Sequence, residues 1–281
     1  MTGQPLQNMF HDLASPCAGV PPLALHDPYF ETVAFAASDA GFLLRLPSGA
    51  RLFLRSTGGV QVDLPAGVTY DQMQPFVRTT LFAAAAWARG LVPLTMPALR
   101  IGAETFLFAC HNAAVADALA ALVATGLGAA AHDGMIALDP EQPGQCHLIG
   151  APLSMQSDAA MAWLPDLIGQ PCTGGQRVAL RLPTATATVH LGPVTLIHLG
   201  WGPGTNLVFS PLNTLQSANL CSSFAALPEL GAHFLGKDLD QAFTKLAEAM
   251  SVLNAAANIR YESPIAVAEL LCAGLSAGNA A

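Results

Sequence analysis

Charge is what this sequence has least of: Asp, Glu, Lys and Arg make up 11% of 281 residues, against about 25% in ordinary soluble domains. A surface so thin in charge implies an interface that covers apolar area, or an alanine excess, since alanine is nearly neutral on a surface. Lysine is almost absent, with Lys237 and Lys245 the whole complement. The 11 basic residues are scattered against 19 acidic ones, for a net charge of -8. That excludes the basic stripe a nucleic-acid partner requires. Near the central helix the longest apolar run is Ala118 to Ala131, bounded by Asp117 and His132. It falls short of the roughly 18 residues a membrane span needs, so no membrane association is expected. The first residues lack the basic and apolar regions of a secretory signal, and the expected location is cytoplasmic. Cysteines at 17, 110, 146, 172, 221 and 272 form no C-x-x-C pair. They are expected to be reduced and mostly buried.

A second absence concerns phosphate. No G-x-x-x-x-G-K-[ST] string occurs anywhere. Such a loop converges backbone N–H groups on phosphates, reaches them with lysine and holds magnesium with a hydroxyl. The stretch Phe106 to Leu122 has the setting for one, a buried strand, a turn and an apolar helix, yet Ala109 to Asp117 contains neither glycine nor lysine.

What is present reads as α/β (α+β) organisation. Residues 1–28 carry several prolines and little periodicity, which predicts an irregular arm. Residues 29–92 form a small β-meander plus a helix: strands at 42–46, 51–55 and 60–64 are separated by Pro-Ser-Gly and Gly-Gly turns. Pro75 as a first helical residue and Gly90 just past the end predict a buried helix over 75–89. Residues 93–281 form the core. Strands are expected at 99–101, 105–109, 135–138 and 147–149, with helices over 114–125 and 158–167. Further strands follow at 178–182, 187–189, 194–199 and 207–209. Gly200-Trp-Gly-Pro-Gly204 joins two strands and reads as a hairpin turn. Asp238 with Gln241 predicts a helix cap, and Leu239, Phe243, Leu246, Met250 and Leu253 form a core stripe. A strand at 258–261 and a helix over 265–275 close the chain.

The order of these elements, with the strand–turn–helix in its expected place, resembles the HPr serine kinase family over roughly residues 30–275. The resemblance implies an HPr-kinase/PEP-carboxykinase-like P-loop core with a mixed sheet and flanking helices. Laid on it, the phosphate loop falls on Ala109 to Asp117 and is degenerate at Cys110, His111, Asn112, Val115, Ala116 and Asp117. Val115 stands at the lysine position and Ala116 at the magnesium-binding serine. The family's Asp-Asp pair matches His132-Asp133, so Asp133, with His132 beside it, is the surviving catalytic candidate. Ser154 stands where relatives tend to carry a lysine.

Phosphoryl transfer depends on positioning and on neutralising the transferred group. With those parts missing, ATP and magnesium are not expected to bind, and no cofactor is expected. The resemblance then implies a catalytically inactive, kinase-like subunit that binds or scaffolds a peptide or partner enzyme, as in peptide natural-product modification, within a homo- or hetero-oligomer. One alternative is an enzyme of another kind using Cys110, His111, His132 and Asp133 as metal ligands or in thiol chemistry. Another is an atypical ATP-dependent serine kinase in which Arg100, Arg177 or Arg181 replaces the lysine.

Overall fold

The structure, a computed structural model, describes residues 16–101, 104–109, 117–118, 130–132, 135–148, 154–172, 176–180, 188–191, 194–201, 208–257 and 269. It is a mixed α+β protein of two compact units. The first comprises residues up to Pro93 together with Ala226–Gly236, and the second Leu94–Ala225 and the remainder from Lys237. Residues 226–236, which the sequence places in the core, thus belong with the first unit.

In the first unit a five-stranded antiparallel meander runs in chain order: β1 (Phe30–Glu31), β2 (Phe35–Ser38), β3 (Gly41–Arg45), β4 (Arg51–Arg55) and β5 (Val60–Asp63). Its turns fall where the Gly-rich dipeptides require them, and the expected strands are present. The helix that follows starts earlier than Pro75 suggests. It begins at Tyr70, with the Thr69 N–H donating to Gln72 Oε1 at 2.8 Å, so Pro75 lies inside it. Proline has no N–H to donate, and one widened turn, Val77–Leu81, follows before regular helix resumes at Phe82–Trp87. Gly90, at φ +77°, ends it: the Leu91 N–H donates to Ala86 O and the Gly90 N–H to Trp87 O, each at 3.0 Å. That left-handed closing residue is a position glycine occupies without strain. Ala83 to Trp87 are wholly buried, as their apolar run predicts. The helix Pro228–Leu235 packs against Phe82–Trp87.

The second unit is built on a six-stranded mixed sheet. Its strands are β7 (Ala98–Ile101), β8 (Glu104–Ala109), β9 (Ala130–His132), β16 (Val194–Trp201), β17 (Val208–Pro211) and β18 (Ser251–Ala257), in the spatial order β17-β18-β16-β8-β7-β9. Strands β8, β16 and β18 run parallel. Consecutive residues Leu107 and Phe108, and Leu196 and Ile197, are all fully buried, because the central parallel strands are covered on both faces. Two smaller antiparallel groups accompany it. One pairs β10 (Met135–Asp139), β11 (Gln142–Leu148) and β15 (Thr188–Leu191); the other pairs β12 (Ser154–Gln156), β14 (Arg177–Leu180) and β13 (Ile168–Pro171). Strand β6 (Val92–Thr95) is the segment in which the chain passes from the first unit to the second.

Three expectations need correction here. The segment from Gly200 is not a tight hairpin, since β18 lies between β16 and β17. The stripe from Leu239 belongs to a helix only as far as Ala249; Met250 ends it and Leu253 lies in β18, so this strand precedes the predicted 258–261. Asp238 makes no side-chain cap, because a 3-10 turn, Gly236–Asp238, already leads into the helix. Apart from helical Asp117, Ala118 and Glu269, the expected helices over 114–125 and 265–275 lie outside the described residues. Among the described residues, no helix is long and apolar enough to cross a membrane.

Candidate functional site

In a sheet with parallel strands, ligand sites form beyond the carboxyl ends, where the connections leave the sheet. Register sets one row that starts at that end of β8 and crosses the middle of its neighbours: Ala109 of β8 beside His198 of β16, then Asn254 of β18, then Ser210 of β17. Cross-strand partners project to the same face. His198 Nδ1 lies 2.9 Å from Asn254 Oδ1, and the Ser210 hydroxyl donates to the Asn254 carbonyl at 3.5 Å. A carboxamide oxygen can only accept, so Nδ1 is the donor in this contact. Such a half-buried imidazole can hydrogen-bond a ligand or ligate a metal. The sequence places His198 on a strand without singling it out, and it places Leu253, the neighbour of Asn254, on a helix; the strand expected at 258–261 lies outside the described residues. The available signal was a histidine in the middle of an otherwise largely apolar parallel strand.

The loop residues Cys110, His111, Asn112, Val115 and Ala116 lie outside the described residues, as does Asp133. The topology nevertheless separates His132 from β8. His132 pairs with Ala98 of β7, and Ala98 pairs with Leu107 of β8. The neighbour of β8 on this side is β7, which folds back beside it. Two strand spacings, about 10 Å, therefore lie between. Among the described residues, no group of three His, Cys, Asp or Glu side chains converges on a metal-sized site.

Asp117, the last position of the loop, is described and is 3% exposed. Its Oδ1 accepts from Arg177 Nη2 at 2.9 Å and from the Gln156 backbone N–H at 3.3 Å. Arg177 is fixed in turn: Nε donates to Ser154 Oγ at 3.0 Å and Nη2 to the Ser154 carbonyl at 2.6 Å. An arginine on a short strand is ordinarily left exposed. The structure turns it inward, because a buried carboxylate needs a cation and hydrogen bonds to offset its lost hydration. Ser154 thus holds an arginine that reaches in from the neighbouring strand β14. Arg181 lies outside the described residues. Arg100 is on β7, exposed and paired in register with Thr105.

Cys146 and His147, adjacent on β11, project to opposite faces and are both buried. Burial pushes the Cys146 thiol up to about 12, and does the same to Cys221. Both are therefore protonated thiols at neutral pH, unsuited to nucleophilic or thiolate-ligand roles. Because the folded thiols keep their protons to about 12 while unfolded ones lose them near 9.0, the unfolded chain binds fewer protons between those values. Stability accordingly falls as pH rises above 9.0, at about 1.4 kcal/mol per pH unit for each thiol. Urea midpoints under reducing conditions should drop between mildly and strongly alkaline pH. Replacing both cysteines by alanine should flatten that drop; an unchanged slope would refute the assignment.

No protein-family model matches the chain, and no curated protein or solved structure matches it.

Proposed function

We propose that this protein is a catalytically inactive, HPr-kinase-like binding subunit, which engages a peptide or a partner enzyme rather than transferring phosphate. The observation that carries the reading is the Asp117–Arg177 pair. The last loop position bears a buried carboxylate, and Arg177, one of the arginines that could stand in for the missing lysine, is already committed to it. A phosphate group approaching this point meets a neutralised pair with no net positive charge to attract it. Binding rather than chemistry is also favoured by the low charge content and by exposed apolar side chains in the second unit, Met161 at 69%, Val208 at 62% and Leu215 at 71%. In the first unit, an open pocket lined by Tyr29, Phe42, Leu54, Phe234 and Arg89 offers a concave apolar surface suited to a peptide side chain.

Calorimetric titration of purified, metal-analysed protein with magnesium and ATP tests this directly. No heat of binding is expected up to millimolar nucleotide. Micromolar affinity would overturn the inactive reading and move attention to the atypical kinase. A second reading, an enzyme using Cys110, His111, His132 and Asp133, draws on the His198–Asn254 pair on the strand next to β8. A stoichiometric transition metal in the same preparation would favour it.

A further inference from the structure

The arrangement around Asp117 is more organised than an ion pair requires. Two donors from the group β12-β14-β13, Arg177 Nη2 and the Gln156 N–H, converge on one oxygen, Oδ1. The guanidinium is held independently of that oxygen, since Ser154 takes both its Nε and its Nη2 through hydroxyl and carbonyl. Removing the carboxylate therefore leaves the donors aimed at the same point. A preoriented guanidinium N–H beside a backbone N–H, both aimed at one point, is the chemistry that recognises a carboxylate oxygen. We propose that Arg177, Ser154 and Gln156 form an oxyanion cradle for a single carboxylate group, and that the chain keeps it filled with its own Asp117. The bound carboxylate ties Asp117 to the smaller sheet. The cradle is closed to outside anions because Asp117, being covalently attached, competes at a far higher effective concentration. This follows from the donors alone and stands whether or not the kinase resemblance holds.

Asp117→Ala removes the carboxylate and keeps the Cβ, leaving a space that matches formate. The test compares melting temperatures of wild type, Asp117→Ala and Asp117→Ala/Arg177→Gln in sodium formate and in sodium chloride of equal ionic strength. Wild type should melt identically in the two salts. Asp117→Ala should melt several degrees lower in chloride and recover much of that loss in about 100 mM formate, with saturation, as expected when a ligand binds only the folded state. Acetate, one methyl larger, should restore less, and the double variant should respond to none of them. Equal melting of Asp117→Ala in formate and chloride would overturn the cradle, as would an equal formate gain in the double variant. If Asp117→Ala is unfolded in chloride, it must regain near-native circular dichroism in formate; failure in both salts counts against the proposal. Nucleotide binding by the wild type would overturn the inactive kinase-like reading and leave this result untouched.

Discussion

Trp87→Ala should destabilise the first unit by about 3–5 kcal/mol, the range for deleting a large aromatic from a close-packed interior. Trp87 is wholly buried, and its Nε1 donates to the Ala226 carbonyl at 2.6 Å. The indole also lies flush on the helix Pro228–Leu235: a Cβ added to Gly231 would sit 2.8–3.0 Å from three of its ring carbons. One side chain therefore anchors residues 226–236 both by packing and by a hydrogen bond. Trp87→Phe separates the two contributions, because it keeps most of the apolar body and removes only the donor. It should cost about 1–2 kcal/mol, the penalty for a carbonyl left without its partner. Urea denaturation followed by far-UV circular dichroism measures both. The anchoring role fails if Trp87→Ala costs less than 1.5 kcal/mol or if the phenylalanine variant is as unstable as the alanine one.

Arg177→Met should cost about 3–5 kcal/mol, since it leaves the Asp117 carboxylate buried without its cation. The Asp117 side chain is 5% exposed and that of Arg177 23%, so little water can take over. Asp117→Asn should cost less, because the amide oxygen can still accept from the guanidinium. The informative variant is the double one. If the pair interacts directly, Asp117→Asn/Arg177→Met should be more stable than the sum of the single losses predicts, by at least about 1 kcal/mol. Strict additivity would mean that the two side chains act independently and would remove the basis for the proposed cradle as well.

Much of the local structure was legible in the sequence because its causes are local. The meander follows from apolar runs punctuated by Pro47-Ser-Gly49 and Gly58-Gly59 turns, and the burial of Ala83 to Trp87 follows from a helix with no polar face. Pro75 misled because proline favours a first helical turn but does not require one; the Thr69–Gln72 contact and a widened turn accommodate it further in. The Gly200–Gly204 cluster misled for a different reason. Glycine content marks a change of direction, but whether the flanking strands pair depends on a third strand, β18, that arrives about fifty residues later.

The sequence by itself determined the alternation of strands and helices, the apolar central strands, and the absence of a phosphate loop, since each depends on residue type and spacing within a few positions. Only the tertiary structure decided that β7 lies between His132 and β8, that residues 226–236 return to the first unit, that His198 meets Asn254, and that Asp117 and Arg177 form a buried pair. Those relations join residues far apart in the chain. They are selected by the need to bury sheet faces and to pair every buried charge, and no local pattern encodes which distant partner will satisfy it.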